Sequence, residues 1–341
     1  MLYELPVFQH VDAKSVKEAV SCLHSNGEKA KVIAGGTDLL ALMKDRVEGP
    51  RLKIPEVLVN IKAIPEISRV SYERGAGLRV GSAVLLVQME TSEVVRKEFP
   101  ILAQAAGQVG TTQLRNMGTI GGNICQRPRC MYFRHPHFPC YKKGGTQCYA
   151  AAGEHRHYHS ILKDGRCVMA CPSDMAPALV ALQAKAVICG HAGERVVSFP
   201  GLFQAAGPFT ETALQADEFL TEIQVPDQPG SRQVFLKHRI RHSTDFALAS
   251  AAVVVRMAGD VCADIRIVLG GIAPFPHEAA KAEEALKGKK LSETLISQAA
   301  EASVEGARPL PMNGYKIDLT RALVRRALTS IQGEAPGPNR R

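Results

Sequence analysis

A glycine pair at residues 35–36 joins a predicted strand directly to a predicted helix, in the segment VIAGGTDLLALMKD (32–45). Glycine has no Cβ atom, so its backbone N–H groups can come close to an anion. Asp38 and Leu39 would open the helix, and the positive end of a helix favours phosphate oxygens. The segment therefore fits a nucleotide-binding turn, although a strand–turn–helix junction without a ligand has the same pattern. We call residues 34–39 the first glycine loop.

A second glycine-rich segment, TTQLRNMGTIGGNI, occupies residues 111–124 and is called here the second glycine loop. Its glycines alternate with hydroxyl and amide side chains, a mixture that suits a pyrophosphate held between two backbone segments. A tight loop between secondary-structure elements would use the same residues. Neither loop has the spacing of a P-loop or of a Rossmann fingerprint, and GAGLRVG (75–81) lacks both the spacing and a following helix. Nucleotide binding here requires a different fold.

Helices and strands alternate in the first two thirds of the predicted secondary structure, with helical segments predicted at residues 13–26 and 84–106. A segment rich in proline and glycine (225–231) then marks a boundary. Beyond it, the sequence predicts an antiparallel meander with a turn at Gly259-Asp260, followed by helices near 277–287, 291–304 and 318–331. This order predicts an α/β portion with an α+β domain appended.

The composition is that of an ordinary globular protein, with 45% hydrophobic and 22% charged residues. We expect no secretory signal and no membrane span, and hence a cytoplasmic chain unless a partner exports it. The net charge of +9 comes from dispersed residues and the chain has no tryptophan, so we expect no nucleic-acid partner. The charge favours solubility or attraction to an acidic protein.

Six of the nine cysteines lie between residues 125 and 171. In a reducing compartment, clustered thiols are metal ligands or redox groups more often than disulfides. These cysteines form no C-x2-C pair, so the usual zinc-finger and zinc-ribbon spacings do not fit. Soft thiolates spread along a loop suit an iron–sulfur cluster better. We call residues 125–170, approximately, the cysteine insert.

The motif AGGTDLL, followed by RNMGTIGGNI, resembles the FAD-binding subunit, or medium chain, of the molybdenum hydroxylases. This family includes xanthine dehydrogenase, carbon monoxide dehydrogenase, aldehyde oxidoreductases and 4-hydroxybenzoyl-CoA reductase. The resemblance extends over nearly the whole chain, because segments 172–179, 235–253 and 268–276 look like family counterparts in the same order.

The resemblance implies an α+β protein with a vanillyl-alcohol-oxidase-like (PCMH-type) FAD-binding domain and a C-terminal α+β domain with an antiparallel sheet. The FAD-binding domain would consist of two α/β subdomains. The implied bounds are 1–55 and 56–224 for these subdomains, 231–332 for the C-terminal domain and 333–341 for a disordered tail.

The resemblance also implies which residues contact FAD. Asp174 would lie near the ribityl side of the flavin, and Lys237 would stabilise negative charge on the reduced ring. A solvated strand lysine is the alternative for Lys237. The implied residues of the two loops are Ala34, Gly35, Gly36, Thr37, Asp38, Leu39, Thr111, Asn116, Gly118, Thr119, Gly121 and Asn123.

The cysteine insert resembles the one that binds a [4Fe–4S] cluster in 4-hydroxybenzoyl-CoA reductase and in a bacterial molybdenum aldehyde oxidoreductase. The resemblance implies Cys130, Cys140 and Cys148 as ligands, with Cys167 favoured as the fourth and Cys125 and Cys171 as rivals. Cations of the insert would offset the negative charge of the cluster, namely Arg127, Arg129, Arg134, Lys142 and Lys143. The insert also holds His135, His137, His155, His157 and His159. In a strand, the HRHYH group would place three imidazoles on one face as a possible metal site, but such histidines are more often surface-loop residues or neighbours of the cluster, and we do not assign them as ligands.

By this resemblance the chain is an electron-transfer subunit that works with a large molybdopterin-binding subunit and a small [2Fe–2S] subunit. FAD would exchange electrons with the [2Fe–2S] centres, and the [4Fe–4S] cluster would offer a port to ferredoxin or a similar carrier. One alternative is an FAD subunit that reduces NAD or oxygen and has a purely structural insert, with zinc or no metal. Another is a zinc-stabilised nucleotide-binding scaffold without a redox role.

Overall fold

A computed structural model describes residues 4–162, 165–241 and 243–332 of the 341-residue chain. The predicted disordered tail, 333–341, lies outside the described residues. Three sheets organise the rest, and the α+β class is confirmed.

The N-terminal unit is a small parallel sheet covered by helices. Its strands follow the order β1-β3-β2, and β3 pairs in parallel with both neighbours. The predicted first helix begins later than expected, after the Ser15 cap, and ends at Gly27, whose φ of 54° suits glycine. The elements are β1 (Gln9–Asp12), α1 (Val16–Asn26), β2 (Ala30–Ile33), α2 (Leu39–Lys44) and β3 (Val57–Asn60).

The second unit is a five-stranded antiparallel sheet, ordered β4-β5-β8-β6-β7, which packs against helices. Its elements are β4 (Val70–Glu73), β5 (Gly77–Gly81), α3 (Leu86–Thr91), α4 (Glu93–Glu98), α5 (Pro100–Gly107), α6 (Thr112–Met117), α7 (Ile120–Ile124), α8 (Met131–Arg134), α9 (Met175–Ala181), β6 (Lys185–Gly190), β7 (Gly193–Ser198), α10 (Phe199–Gln204) and β8 (Phe219–Val225).

The segment 84–106, predicted to be helical, contains three short helices. Ser92 ends α3 and caps α4, accepting a hydrogen bond from Val95 N, and Pro100 begins α5. Both residue types favour the start of a new helix over the continuation of an old one.

The C-terminal unit is an antiparallel sheet, ordered β12-β11-β10-β9, with three helices after it. The predicted meander and its turn are confirmed, since Ala258 pairs with Val261 across Gly259-Asp260. The elements are β9 (Ser231–His238), β10 (Ala249–Ala258), β11 (Val261–Gly270), β12 (His277–Glu278), α11 (Ala280–Leu286), α12 (Glu293–Ala302) and α13 (Lys316–Gln332).

The cysteine insert packs against all three units and has a small hydrophobic core of its own around Phe133, Cys130 and Cys140. Backbone hydrogen bonds tie its end to the C-terminal sheet, where Ile161 N donates to Ile272 O at 2.9 Å. Its middle is tied to the N-terminal unit, where Arg51 N donates to Lys143 O at 2.9 Å. The insert is therefore an integral part of the fold.

Candidate functional site

The two glycine loops face each other across a cavity of about 510 Å³, called here the large cavity. The first glycine loop follows β2 and leads into α2, and the second contains α6 and α7. Ten of the twelve loop residues implied above line it: Ala34, Gly35, Gly36, Thr37, Asp38, Leu39, Gly118, Thr119, Gly121 and Asn123. Thr111 and Asn116 are not among the lining residues, although Gly110, next to Thr111, is.

The glycines allow the two loops to approach closely. A Cβ atom on Gly35 would overlap the carbonyl oxygen of Met117 and lie 2.8 Å from Gly118 Cα. A Cβ atom on Gly121 would lie 2.8 Å from both Cβ and O of Ser82. Glycine is thus required because backbone meets backbone at the rim of the cavity.

Hydroxyl and amide side chains of the second glycine loop hold its shape. Thr111 and Thr119 cap α6 and α7, and Thr119 Oγ1 accepts from Gly122 N at 3.1 Å. Asn123 Oδ1 accepts from Ser173 Oγ at 2.7 Å, which ties the loop to α9. The backbone N–H groups between the two loops suit the pyrophosphate of a dinucleotide, and the apolar walls suit its rings.

Asp174 and Lys237 form a buried ion pair beside the large cavity, but neither is among its lining residues. Lys237 Nζ lies 2.6 Å from Asp174 Oδ2 and donates to Gln108 O at 2.9 Å. Burial raises the pKa of Asp174, and the Lys237 ammonium opposes this effect. Their predicted contacts with FAD stay a prediction.

Asp38 joins the first glycine loop to the cysteine insert. Its carboxylate accepts from Arg127 N at 2.8 Å and pairs with the guanidinium groups of Arg134 at 2.6 Å and Arg129 at 2.8 Å. Burial acts to raise the pKa of Asp38, but the two guanidinium groups and the Arg127 N–H outweigh it, so the pKa is lowered. Burial lowers the pKa of Arg129 to about 10. The loop and the insert therefore share one charge network.

Four cysteines of the insert, Cys130, Cys140, Cys148 and Cys167, line one small, mostly apolar cavity, called here the cysteine cavity. By contrast, Cys125 lines the large cavity, and Cys171 lines neither of these two cavities. All nine cysteines are free.

Backbone N–H groups surround the cysteine sulfurs. Burial raises the pKa of Cys130 to about 11, opposed by the N–H groups of Phe133 and Tyr132. A hydrogen bond from Cys167 lowers the pKa of Cys148 against the effect of burial. The shared hydrogen bond and burial raise the pKa of Cys167, while the Met169 N–H and the Lys142 ammonium oppose this. N–H donors and cations of this kind stabilise thiolates and the clusters that thiolates hold.

No group of three or more His, Cys, Asp or Glu side chains in 4–162, 165–241 and 243–332 is arranged to hold a single metal ion. One tetrahedral zinc ion needs its four sulfurs within about 2.3 Å of one point. The four cysteines that line the cysteine cavity are the donor type and number that an iron–sulfur cluster takes, with one cysteine at each corner.

Residues 155–159 do not form the predicted strand, and two of their histidines serve in packing. His155 Nδ1 donates to Ala150 O at 2.9 Å, and its Nε2 accepts from Met312 N at 3.1 Å. His159 is buried beside Lys316, whose ammonium donates to His159 O at 3.1 Å. Burial, Lys316 and His155 lower the pKa of His159 to about 4.

The loop between α10 and β8 is a wall of the large cavity that no sequence motif revealed. Its lining residues are Thr210, Glu211, Thr212, Leu214, Gln215, Ala216 and Glu218. This loop has no glycine cluster or metal-ligand spacing, so its role depends on its tertiary position alone. Across the described ranges, none of the helices is both long and apolar enough to cross a membrane.

Comparison with known proteins assigns both parts of the chain. Residues 6–228 match the family described as the FAD binding domain in molybdopterin dehydrogenase. Residues 235–331 match the CO dehydrogenase flavoprotein C-terminal domain.

Individual relatives match over nearly their full length. The aldehyde oxidoreductase FAD-binding subunit PaoB of Escherichia coli (strain K12) is 31% identical over 312 residues, covering 90% of this chain and 91% of the relative. The carbon monoxide dehydrogenase medium chain of Hydrogenophaga pseudoflava is 30% identical over 331 residues, covering 95% of this chain and 97% of the relative. A solved structure of that organism's carbon monoxide dehydrogenase, lacking the Mo-pyranopterin moiety, has a TM-score of 0.75 at 29% identity, covering 96% of this chain and 98% of the other.

Proposed function

Because the chain belongs to the FAD-binding medium subunits of the molybdenum hydroxylase family, which are oxidoreductase subunits, we propose that it carries both FAD and a [4Fe–4S] cluster. In this proposal it passes electrons between the [2Fe–2S] centres of a small partner subunit and an external carrier such as ferredoxin. A large molybdopterin-binding subunit would carry out the substrate chemistry. We infer a cytoplasmic location, where thiols stay reduced.

The residues of the two glycine loops would hold FAD. The backbone of the first glycine loop and the capped turns of the second surround the large cavity, where bound FAD supplies the exchange between two-electron and one-electron chemistry. Asp38 orients the first glycine loop through its ion pairs with Arg129 and Arg134. The buried pair Lys237–Asp174 keeps an ammonium group beside Gln108, two residues before Gly110 of the cavity wall.

The observation that carries the cluster half of the proposal is the convergence of four cysteines on the cysteine cavity. This convergence supports Cys130, Cys140, Cys148 and Cys167 as the ligands. The rival Cys125 lines the large cavity and does not line the cysteine cavity. The rival Cys171 does not line the cysteine cavity, which separates it from the four proposed ligands.

The test is the cofactor content of the full chain, produced with its partner subunits and purified without oxygen. We expect one FAD and about four iron and four sulfide per chain, with no zinc. In the Cys167→Ser protein the iron should fall strongly, whereas the matched Cys125→Ser and Cys171→Ser proteins should retain it. FAD should remain in all of them.

Three outcomes contradict parts of the proposal. Full iron in Cys167→Ser refutes the choice of fourth ligand. FAD without iron and sulfide supports the plain FAD subunit, and zinc without FAD supports the structural scaffold. For the external carrier, the reduced complex should transfer electrons to ferredoxin faster than to NAD, and the reverse order contradicts that assignment.

A further inference from the structure

A single buried ion pair separates the large cavity from the cysteine cavity. Lys142 lines the cysteine cavity, and Glu211 lines the large cavity. Lys142 Nζ lies 3.3 Å from Glu211 Oε1, and the two side chains are only 7% and 8% exposed. The ion pair therefore links a residue that lines one cavity to a residue that lines the other.

Neighbouring groups fix both members of the pair. Lys142 Nζ donates to Thr210 O at 2.6 Å, which directs the ammonium group toward the α10–β8 loop. Arg127 Nε lies 2.7 Å from Glu211 Oε2, and its Nη2 donates to Phe209 O at 3.0 Å. Glu211 Oε1 is buried, has no hydrogen-bond partner among the described residues, and faces the Lys142 ammonium through the ion pair alone.

Packing alone does not explain this arrangement. A buried ion pair pays a large desolvation penalty, and apolar side chains of similar size often give equal or greater stability. Charges in a low-dielectric interior, however, act strongly on neighbouring groups and are screened little by salt. Reduction adds negative charge to a flavin or a cluster, so a fixed cation favours the reduced form and a fixed anion disfavours it.

We propose that Lys142 and Glu211 set the reduction potentials of the two cofactors, with Lys142 raising that of the cluster and Glu211 lowering those of both cluster and flavin. This inference rests on the proposed function, because it needs a cluster in the cysteine cavity. Lys142 and Glu211 are positioning residues here, acting through their charge and without bonding the iron.

The test is a redox titration of the holoenzyme complex, followed by electron paramagnetic resonance for the cluster and by absorbance for the flavin. Lys142→Met should lower the reduction potential of the cluster by at least 59 mV, which is a tenfold change in the equilibrium constant of a one-electron reduction. Glu211→Gln, which keeps the shape of the side chain, should raise both potentials. Lys142→Arg retains the charge and should restore the cluster potential of the wild type.

Glu218→Gln is the matched control. Glu218 also lines the large cavity and also forms an ion pair, 2.7 Å from Arg195, but neither residue lines the cysteine cavity. Its removal should leave the cluster potential unchanged. If Glu218→Gln shifts the cluster potential as much as Glu211→Gln does, any loss of negative charge at the large cavity shifts that potential. This result would overturn the specific role of Glu211.

The outcomes separate this inference from the proposed function. A wild-type complex without iron and sulfide refutes the proposed function and this inference together. A wild-type complex with full iron, whose Lys142→Met and Glu211→Gln forms keep both potentials, refutes the inference alone. If Lys142→Met loses its iron, Glu211→Gln decides, since its carboxamide preserves the packing.

Discussion

Replacing Gly35 by alanine tests whether the close approach of the two glycine loops is needed for FAD binding. The new Cβ atom would overlap Met117 O and lie 2.8 Å from Gly118 Cα, whereas ordinary contact begins at 3.4 Å. Both neighbours are backbone atoms, which cannot rotate away as a flexible side chain can. The loops must therefore separate by more than half an ångström.

The magnitude follows from the cost of overpacking, about 1–3 kcal/mol for an added methyl group in a closely packed site. If the loops can separate in the FAD-free protein, this cost falls on binding and weakens FAD affinity by about 5-fold to 150-fold. If they cannot, it falls on folding and lowers the free energy of unfolding by the same amount. The sum of the two effects should thus be about 1–3 kcal/mol in either case.

The assay is a titration of FAD-depleted protein by flavin fluorescence, together with urea denaturation of the same samples. Gly314→Ala is the control, because a Cβ atom at Gly314 would meet nothing within 4 Å and should change neither measurement. A Gly35→Ala protein with the FAD affinity and the unfolding free energy of the wild type would show that the loops do not need this contact.

Two further predictions concern buried charges. Asp38→Asn should lower the free energy of unfolding by about 3 kcal/mol in urea denaturation, because Arg129 and Arg134 lose their buried counter-ion. The control is Asp260→Asn, which removes only an exposed pair with Lys290 and should have little effect on the free energy of unfolding. Equal losses in the two variants would contradict the burial argument. Burial lowers the pKa of Lys316 from 10.5 to about 7. Between pH 7 and pH 10.5 the unfolded chain therefore binds one more proton than the folded chain. Because of this, the free energy of unfolding of the wild type should rise with pH relative to that of Lys316→Met. The difference in free energy of unfolding between the wild type and Lys316→Met should rise by about 1.4 kcal/mol per pH unit. A difference that stays constant from pH 7 to pH 10 would refute this prediction.

Local sequence signals predicted the elements that depend on a few neighbouring residues. The turn at Gly259-Asp260 and the end of the first helix at Gly27 both use glycine where φ is positive, so the sequence alone locates them. The break at Ser92 is equally local, but the apolar periodicity of residues 84–106 continues through it and hid the cap. Helical periodicity is thus a weaker guide to helix ends than capping residues are.

Tertiary contacts decided what the sequence could not predict. Arg127 and Lys142 of the cysteine insert help to hold the α10–β8 loop at the large cavity by binding Glu211. Likewise, Lys237 belongs to a strand whose pattern gives no sign of a buried partner, and only the packing of β9 against the end of α5 brings it to Asp174. Residues 155–159 alternate as a strand would, yet His155 is held by Ala150 and Met312 and the segment runs irregularly.

The charge network of Asp38 has a consequence for biosynthesis. Asp38 leaves the ribosome early, but its partner Arg134 follows 96 residues later. A nascent chain that has exposed only its first hundred residues has all the strands of the N-terminal sheet, yet the turn after β2 still carries an uncompensated carboxylate. The ion pairs that fix this turn can therefore form only after translation has passed the arginines.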